Sequence, residues 1–238
     1  MNADRSPAAH RAEGDWVGSA SGQIRGWRQP EVEQELPGLD LMQLAVEVRA
    51  QRSLTGGSPP AVLSRLRHLS DRWRGARAVN VRLQAAPAAY RAFFRQIGLD
   101  PERTRTPLET LVLERVLDGG FLSRGFLADV LAVGLIDTGV PVWALDDDRV
   151  DDPLGIRLSR EQERLGCAEQ APILGPGRLV IADAELPVAI LFGALATGCE
   201  PRARTRRLRL FSVQVPGVPD LHVEEALWQC RSLLEACG

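Results

Sequence analysis

Residues 122–145 read LSRGFLADVLAVGLIDTGVPVWAL, and the predicted secondary structure changes from helix to strand within this run. Its first part, residues 122–137, is rich in Leu, Val and Ala and predicts a largely buried helix. Its last part, residues 140–145, is a short apolar run that predicts a strand. Helices cluster before this point and strands follow it. This order favours an α+β protein over alternating βαβ units.

Upstream of this run, proline and glycine mark the ends of helix-like and strand-like segments. The clearest start is Thr106-Pro107-Leu108-Glu109, a capping box that opens a helix ending at Gly119-Gly120. The buried stripe of that helix is predicted to be Leu108, Leu111, Val112 and Val116. The other upstream predictions are a strand after Pro37-Gly38 (Leu44, Val46, Val48), a helix from Ser58 to Gly75 (Val62, Leu66, Leu69, Trp73), a strand (Val79, Val81, Leu83) and a helix opened by Pro87 (Tyr90, Phe93, Phe94, Ile97).

Downstream, short apolar runs alternate with turn residues. They predict strands at residues 154–158, 178–182, 188–192 and 207–211. Asp220 is predicted to cap a final helix whose stripe is Val223, Leu227, Cys230 and Leu234. Residues 1–28 show neither helical nor strand periodicity, so we expect a flexible tail there and one domain over residues 29–238.

The composition of the 238 residues excludes several classes of protein. The net charge is −2, so binding of nucleic acid needs a local basic cluster, and every basic residue is an arginine. No apolar run reaches the roughly 18 residues of a membrane span, and the N-terminus lacks a secretory apolar core. We therefore expect a cytoplasmic protein with no membrane partner. Its four cysteines are predicted to be free buried thiols.

General catalytic and metal-binding motifs are absent from the sequence. The three histidines, His10, His68 and His222, lie in a tail or on predicted solvated faces. The acidic run Asp146-Asp147-Asp148 lacks the spacing and the bidentate glutamate of a calcium loop, so a solvated turn is the better interpretation. We expect neither a metal nor a cofactor.

A basic run carries Arg202, Arg204, Arg206, Arg207 and Arg209. Alternating arginines at the start of a strand project several guanidinium groups from one face, which suits phosphate. An edge strand protected by charge gives the same pattern. Both interpretations stay open here.

The stretch from Tyr90 onwards resembles the B-three/B-four domain, the editing module of the phenylalanyl-tRNA synthetase beta subunit, of which free-standing versions exist. The resemblance runs from Ile97-Gly98-Leu99-Asp100-Pro101 through Thr106-Pro107-Leu108-Glu109, and is sharpest over residues 129–146. There Asp129 is followed by Leu131-Ala132 and by Gly139-Val140-Pro141-Val142-Trp143-Ala144-Leu145-Asp146. Further matches in the same order are Leu154-Gly155-Ile156-Arg157, Val180-Ile181-Ala182-Asp183 and Thr205.

The resemblance implies a single α+β domain with a sandwich-like mixed β-sheet core and flanking helices. It also implies hydrolysis of an amino acid wrongly attached to tRNA. The polar residues of the synthetase pocket fall here on Leu131, Ala132, Trp143 and Phe211, so the expected pocket is apolar and suits a small aliphatic side chain. If the chain is such an editing factor, we expect backbone N–H groups near Gly193 to hold the ester carbonyl, Thr197 to orient the water, and Arg202, Arg204, Arg206 and Arg207 to bind RNA.

Three functions follow from this reading. The first is a free-standing editing factor that deacylates a mischarged tRNA in trans. The second is a non-catalytic module that binds tRNA or another RNA. The third is a degenerate domain that binds a free amino acid or a protein, because an apolar site with a buried tryptophan is also typical of a packed core.

Overall fold

Two long strands lie side by side at the centre of the first sheet of this computed structural model, which describes residues 22–49, 53–151 and 153–237. This sheet contains β1 (Ile24–Arg25), β3 (Asp40–Glu47), β4 (Val142–Asp146) and β8 (Arg207–Gln214), with strands numbered along the chain. The spatial order is β1-β3-β8-β4 and every pair is antiparallel. Both long strands are mostly buried, because β3 and β8 are the inner strands of the sheet.

The second sheet contains β2 (Trp27–Arg28), β5 (Gly155–Leu158), β6 (Leu179–Ala182) and β7 (Pro187–Ile190), in that spatial order. Strand β2 pairs with β5 in parallel, and the other pairs are antiparallel. Buried residues of both sheets belong to one hydrophobic core. The predicted sandwich-like mixed sheet core is therefore confirmed.

Helices flank the sheets, which confirms the α+β class. They are α1 (Pro30–Glu35), α2 (Pro60–Arg72), α3 (Ala76–Val79), α4 (Ala85–Gln96), α5 (Pro107–Asp118), α6 (Phe126–Thr138) and α7 (Asp220–Cys237), with short 3-10 turns at Val81–Leu83 and Asp147–Arg149. The predicted capping box at the start of α5 is present, with the Thr106 N–H donating to Glu109 Oε2 at 3.1 Å. Gly119 ends that helix in the left-handed conformation, as the sequence indicated.

The strand predicted at residues 79–83 is wrong. Asn80 N–H donates to Ala76 O, and Leu83 N–H donates to Asn80 O, so local bonds make α3 and a 3-10 turn instead. A strand needs a partner to satisfy its backbone groups, whereas a helical turn satisfies them within itself. Val79 and Leu83 are exposed in consequence.

Several boundaries also differ. Helix α4 begins at Ala85, two residues before Pro87, and α6 begins at Phe126. The folded part of the chain starts earlier than residue 29, because β1 and β2 are built from residues 24–28. The rest of the predicted tail, residues 1–21, lies outside the described residues.

The cysteines are all free, but only Cys199 and Cys230 are buried; Cys167 is exposed, so the prediction of four buried thiols is wrong. Burial raises the pKa of Cys230 to about 12. Among the described residues, no helix combines the length and the apolar character that crossing a membrane requires.

The side chain of Gln43 joins the two sheets. It is fully buried on β3, its Nε2 donates to Leu154 O at 3.1 Å, and its Oε1 accepts from Leu154 N–H at 3.3 Å. The same Oε1 accepts from Arg209 Nη1 at 3.2 Å, and Arg209 Nε donates to the buried Asp147 at 2.8 Å. One amide therefore connects β3, the loop before β5 and the ion pair on β8.

We expect Gln43→Leu to lower the free energy of unfolding by about 2–4 kcal/mol, because it leaves buried backbone and guanidinium groups without partners. Urea denaturation measures this. The matched change Gln34→Leu, at an exposed position of α1, should stay within about 0.5 kcal/mol of the parent. Equal effects of the two changes would contradict the role given to Gln43.

Candidate functional site

A cavity of about 380 Å³ opens between α5, α6, the start of β4 and the turn after β7. Its apolar wall includes Leu131, Ala132, Trp143 and Phe192. The remaining lining residues are Arg105, Pro107, Thr110, Leu111, Glu114, Arg124, Leu135, Pro141 and Val142. Three residues that the sequence assigned to the pocket, Leu131, Ala132 and Trp143, are thus brought together.

Trp143 is held from behind by Phe211. The two residues are direct partners in the β4–β8 register, and their rings stack with centroids 5.5 Å apart and planes at 15°. Phe211 is 2% exposed and does not line the cavity. It therefore supports the pocket wall from the core and is not a contact for a ligand.

Phe192 lines the cavity and was missed by sequence reasoning, which placed it at the end of a strand. Its φ is +55°, a region that bulky residues avoid. Its ring lies 5.1 Å from Phe94 and 5.8 Å from Trp143, and it also contacts Tyr90 and Phe93. The aromatic contacts offset the cost of the backbone conformation. In the sequence, the glycine that directly follows Phe192, Gly193, was the indication of a turn at this point.

The aromatic cluster behind Phe192 is fixed by a buried hydrogen bond. The Tyr90 hydroxyl donates to Val213 O of β8 at 2.8 Å. Burial raises the pKa of Tyr90 above its usual range, so the phenol stays protonated and keeps donating. The deep wall of the cavity is consequently rigid, apolar and tied to the central strand.

The rim of the cavity is charged. Arg105 is exposed, and Arg124 Nη2 lies 3.0 Å from Glu114 Oε2. Apart from this paired glutamate, the lining contains no acid, histidine or cysteine. The arrangement can hold a small apolar group inside and an anion at the mouth, where guanidinium groups bind phosphate in a bidentate manner.

Asp129 positions the segment that carries Arg124. Its carboxylate is buried and accepts from Ser58 Oγ at 2.6 Å, from Ser123 Oγ at 2.5 Å and from Arg124 N–H at 2.7 Å. These bonds join the loop before α2 to the loop before α6. Asp129 is thus a positioning residue for the rim.

Gly193 and Thr197 lie outside the lining of the cavity. Gly193 N–H already donates to Ile190 O at 2.8 Å, so it is not free to hold a carbonyl. Thr197 is exposed in the segment after β7, and its catalytic role remains a prediction from the sequence.

The basic run divides into two parts. Arg202, Arg204 and Arg207 are exposed, but Arg207 pairs with Asp147 at 2.8 Å, and the buried Arg209 pairs with the same carboxylate at 2.7 Å. Arg206 is partly buried and donates to Thr205 O at 3.3 Å. The edge-strand interpretation is wrong, because β8 lies between β3 and β4.

The solvated acidic turn is also wrong for Asp147, which is buried and pairs with Arg207 and Arg209. The alternating arginines of β8 thus serve partly to neutralise that carboxylate. In the described part of the chain, no group of His, Cys, Asp and Glu side chains is arranged to hold a metal ion.

Fold and cavity together define an α+β, two-sheet protein with an apolar cavity beside the edge strand β4. No family model matches the chain. Over 115 residues, 48% of the chain, it is 30% identical to the phenylalanine–tRNA ligase beta subunit of Xylella fastidiosa. Over 125 residues, 51% of the chain, it is 34% identical to that of Xanthomonas campestris pv. campestris. Over 117 residues, 49% of the chain, it is 28% identical to that of Legionella pneumophila.

The chain is therefore related to the beta subunit of phenylalanine–tRNA ligase. The matched stretches cover only 14%, 15% and 14% of those three subunits. The relation concerns a small part of a much longer protein.

At most positions an alanine variant is more stable than a glycine variant. The left-handed backbone at Phe192 should reverse this order of stability. We expect both Phe192→Ala and Phe192→Gly to lower the free energy of unfolding, by about 2 kcal/mol or more, through lost aromatic packing. The glycine variant should be the more stable of the two by about 1 kcal/mol, since alanine keeps the cost of a positive φ. Chemical denaturation of both variants measures the difference.

Ala92→Gly, at an exposed position of α4, is the control for the usual case, in which alanine is more stable than glycine. There glycine should be less stable by about 0.5–1 kcal/mol. If Phe192→Ala is more stable than Phe192→Gly, the strained conformation at Phe192 is contradicted.

Proposed function

We propose that this chain is an editing factor of the B-three/B-four type that receives the aminoacylated 3′ end of a tRNA and hydrolyses the ester in trans. The observation that carries the proposal is the apolar cavity with an arginine rim, in a chain related to a tRNA ligase subunit. The amino acid side chain enters between Leu131, Ala132 and Trp143. The phosphates of the tRNA end lie against the rim.

The walls favour a small aliphatic side chain as the group to be removed. Trp143 is restrained by its stack on Phe211, and Phe192 adds a second aromatic ring to the wall. No polar side chain among the deep wall residues is placed to bind a hydroxyl group. A site of this kind discriminates by size, and one methylene is worth about 1–3 kcal/mol in such a pocket.

Arg105 supplies most of the electrostatic part of binding, and Arg124 contributes less because it is paired with Glu114. They stand at the mouth of the cavity, whereas Arg202 and Arg204 lie before β8, at the end of the sheet where β4 finishes. The rim pair is thus suited to the terminal phosphates, and the exposed pair Arg202 and Arg204 to a more distant part of the tRNA. Arg207 contributes less, since its charge is already neutralised by Asp147 and Asp148.

The chemical step needs a water directed at the ester carbonyl. Among the lining residues, Thr110 carries a hydroxyl at the rim, and the terminal ribose hydroxyl of the tRNA assists the attacking water. Thr197 stays a candidate only if its segment approaches the bound ester. Hydrolysis of this kind depends on how the water and the ester are positioned, and it does not use a general base from the protein.

A second function, binding of tRNA without hydrolysis, is favoured by one observation. The lining of the cavity offers no imidazole or free carboxylate as a general base. The two functions predict the same complex and differ only in the fate of the ester.

A deacylation assay separates them. Purified protein is offered tRNAs charged with a panel of correct and incorrect amino acids, and loss of the ester is followed over time. We expect selective loss from a tRNA that carries a small aliphatic residue. Ala132→Phe fills the cavity and should slow this reaction at least tenfold, while Ala128→Phe, on the exposed side of α6, should not. Cleavage no faster than in buffer would remove the enzyme proposal and leave the binding function.

Binding is tested with uncharged tRNA and variants that change the same amount of charge. Arg105→Glu/Arg124→Glu should weaken retention about tenfold or more and reduce its salt dependence. The matched double change Arg67→Glu/Arg95→Glu, at two exposed arginines that do not line the cavity, should have a much smaller effect. If the rim variant binds as tightly as the parent, while Arg202→Glu/Arg204→Glu does not, the tRNA lies on the other basic surface. If neither changes binding, both RNA-based functions are wrong.

A further inference from the structure

Glu114 is the one acidic side chain among the described residues that line the cavity between α5 and α6. Its side chain is 34% exposed, and its Oε2 lies 3.0 Å from Arg124 Nη2. Its second oxygen, Oε1, forms no hydrogen bond or ion pair with the described part of the chain. A carboxylate has about four acceptor sites, so Glu114 keeps the capacity to bind a cationic group of a ligand.

The position of Glu114 along α5 separates it from the basic end of the cavity. Helix α5 turns Pro107, Thr110, Leu111 and Glu114 towards the cavity, at the three- and four-residue spacing of one helix face. The rise per residue places Glu114 about 10 Å along the helix from Pro107. The exposed Arg105 precedes Pro107 and lies at the opposite end of this face. A ligand with an anionic group near Arg105 and a cationic group near Glu114 therefore fits the cavity.

An aminoacyl ester has this distribution of charge. Its tRNA end carries phosphates, its side chain is apolar in the substrate proposed above, and its α-amino group is largely protonated at neutral pH. An ammonium group that leaves water needs an acceptor, and a carboxylate is the strongest acceptor that a protein offers it. Of the described residues that line the cavity, Glu114 alone supplies a carboxylate.

We propose that Glu114 binds the α-ammonium group of the aminoacyl ester and thereby selects tRNAs whose amino acid has a free amino group. The inference rests on the proposed function, because it names the group of that substrate which Glu114 recognises. An amino acid that is acylated on its nitrogen, as in a formylated or peptidyl ester, has lost the positive charge and gained volume. Such an ester leaves the carboxylate without its cationic partner and is bound less well.

The ion pair with Arg124 is compatible with this contact. The side chain of Arg124 is 55% exposed, and a pair between side chains as exposed as these contributes little to stability. The ammonium group binds Oε1 while Arg124 remains at Oε2. The two cations then share one carboxylate, so removal of the charge on Arg124 is expected to strengthen the contact between Glu114 and the ammonium group.

A purely structural role of Glu114 makes a different prediction. If Glu114 only holds Arg124 at the rim, its replacement changes the rates for free and for acylated amino groups by the same factor. If Glu114 binds the ammonium group, its replacement slows only the reaction of the free form. The ratio of the two rates therefore distinguishes the two roles.

The probes are one tRNA mischarged with alanine or with valine, each with a free amino group and after acetylation of that group. We expect the parent to cleave the free forms with a kcat/KM at least tenfold higher. Glu114→Gln keeps the size but removes the charge, and it should lower this ratio below threefold. Arg124→Gln should preserve or raise the ratio. Glu235→Gln is the matched control, because Glu235 pairs with Arg231 at 2.7 Å on α7 and does not line the cavity; it should leave the ratio unchanged.

The outcomes separate this inference from the proposed function. Equal cleavage of free and acetylated forms by the parent, or a ratio that Glu114→Gln leaves intact, would overturn the role of Glu114 while the editing function stands. If no ester is cleaved, the same ratio is taken from the dissociation constants of the four tRNAs, measured by filter retention, and a ratio near one overturns that role. If the parent retains none of them, the proposed function fails, and the role of Glu114 fails with it. Circular dichroism melting confirms that each variant is folded.

Discussion

Gln43 is the point at which the two sheets meet, and the remaining architecture depends on how its amide is satisfied. Buried amides cost free energy unless every donor and acceptor finds a partner. Here the partners are the backbone of Leu154 beside the second sheet and Arg209 on β8. The pairing fixes the separation and register of the sheets. It also fixes where Arg209 stands, and through Arg209 the turn that contains Asp147.

The cavity is an extension of the same row of side chains. Gln43 and Trp143 are both register partners of Phe211, so all three project from the same face of the first sheet. Gln43 reaches the second sheet, Phe211 fills the core between, and Trp143 forms the cavity wall at the edge strand. Phe192, from the turn after β7, packs onto this row from the second sheet. The contact between the sheets and the shape of the cavity therefore both depend on the row formed by Gln43, Phe211 and Trp143.

Local features could be predicted because their causes are local. The capping box at Thr106 and Glu109, the glycine at 119 and the alternation along β3 act within a few residues, and they appear where the sequence indicates. The apolar nature of the cavity wall at Leu131, Ala132 and Trp143 could also be predicted, from the resemblance over residues 129–146. The failures lie where distant residues decide. Residues 79–83 have the alternation of a strand, but no strand is placed to pair with them.

The sequence by itself determined the α+β class, the starts of α2, α5 and α7 and the apolar character of the site, because these depend on periodicity and on turn chemistry. Only the tertiary structure decided which charges are available. Arg207 and Arg209 look identical to Arg202 and Arg204 in the sequence, yet the first two pair with the buried Asp147, whereas Arg202 and Arg204 are exposed. It also decided that Phe192 lines the cavity and that Val116, which the sequence predicted to be buried, is 52% exposed. Burial and pairing are properties of contacts between distant segments, and a pattern read along one chain does not contain them.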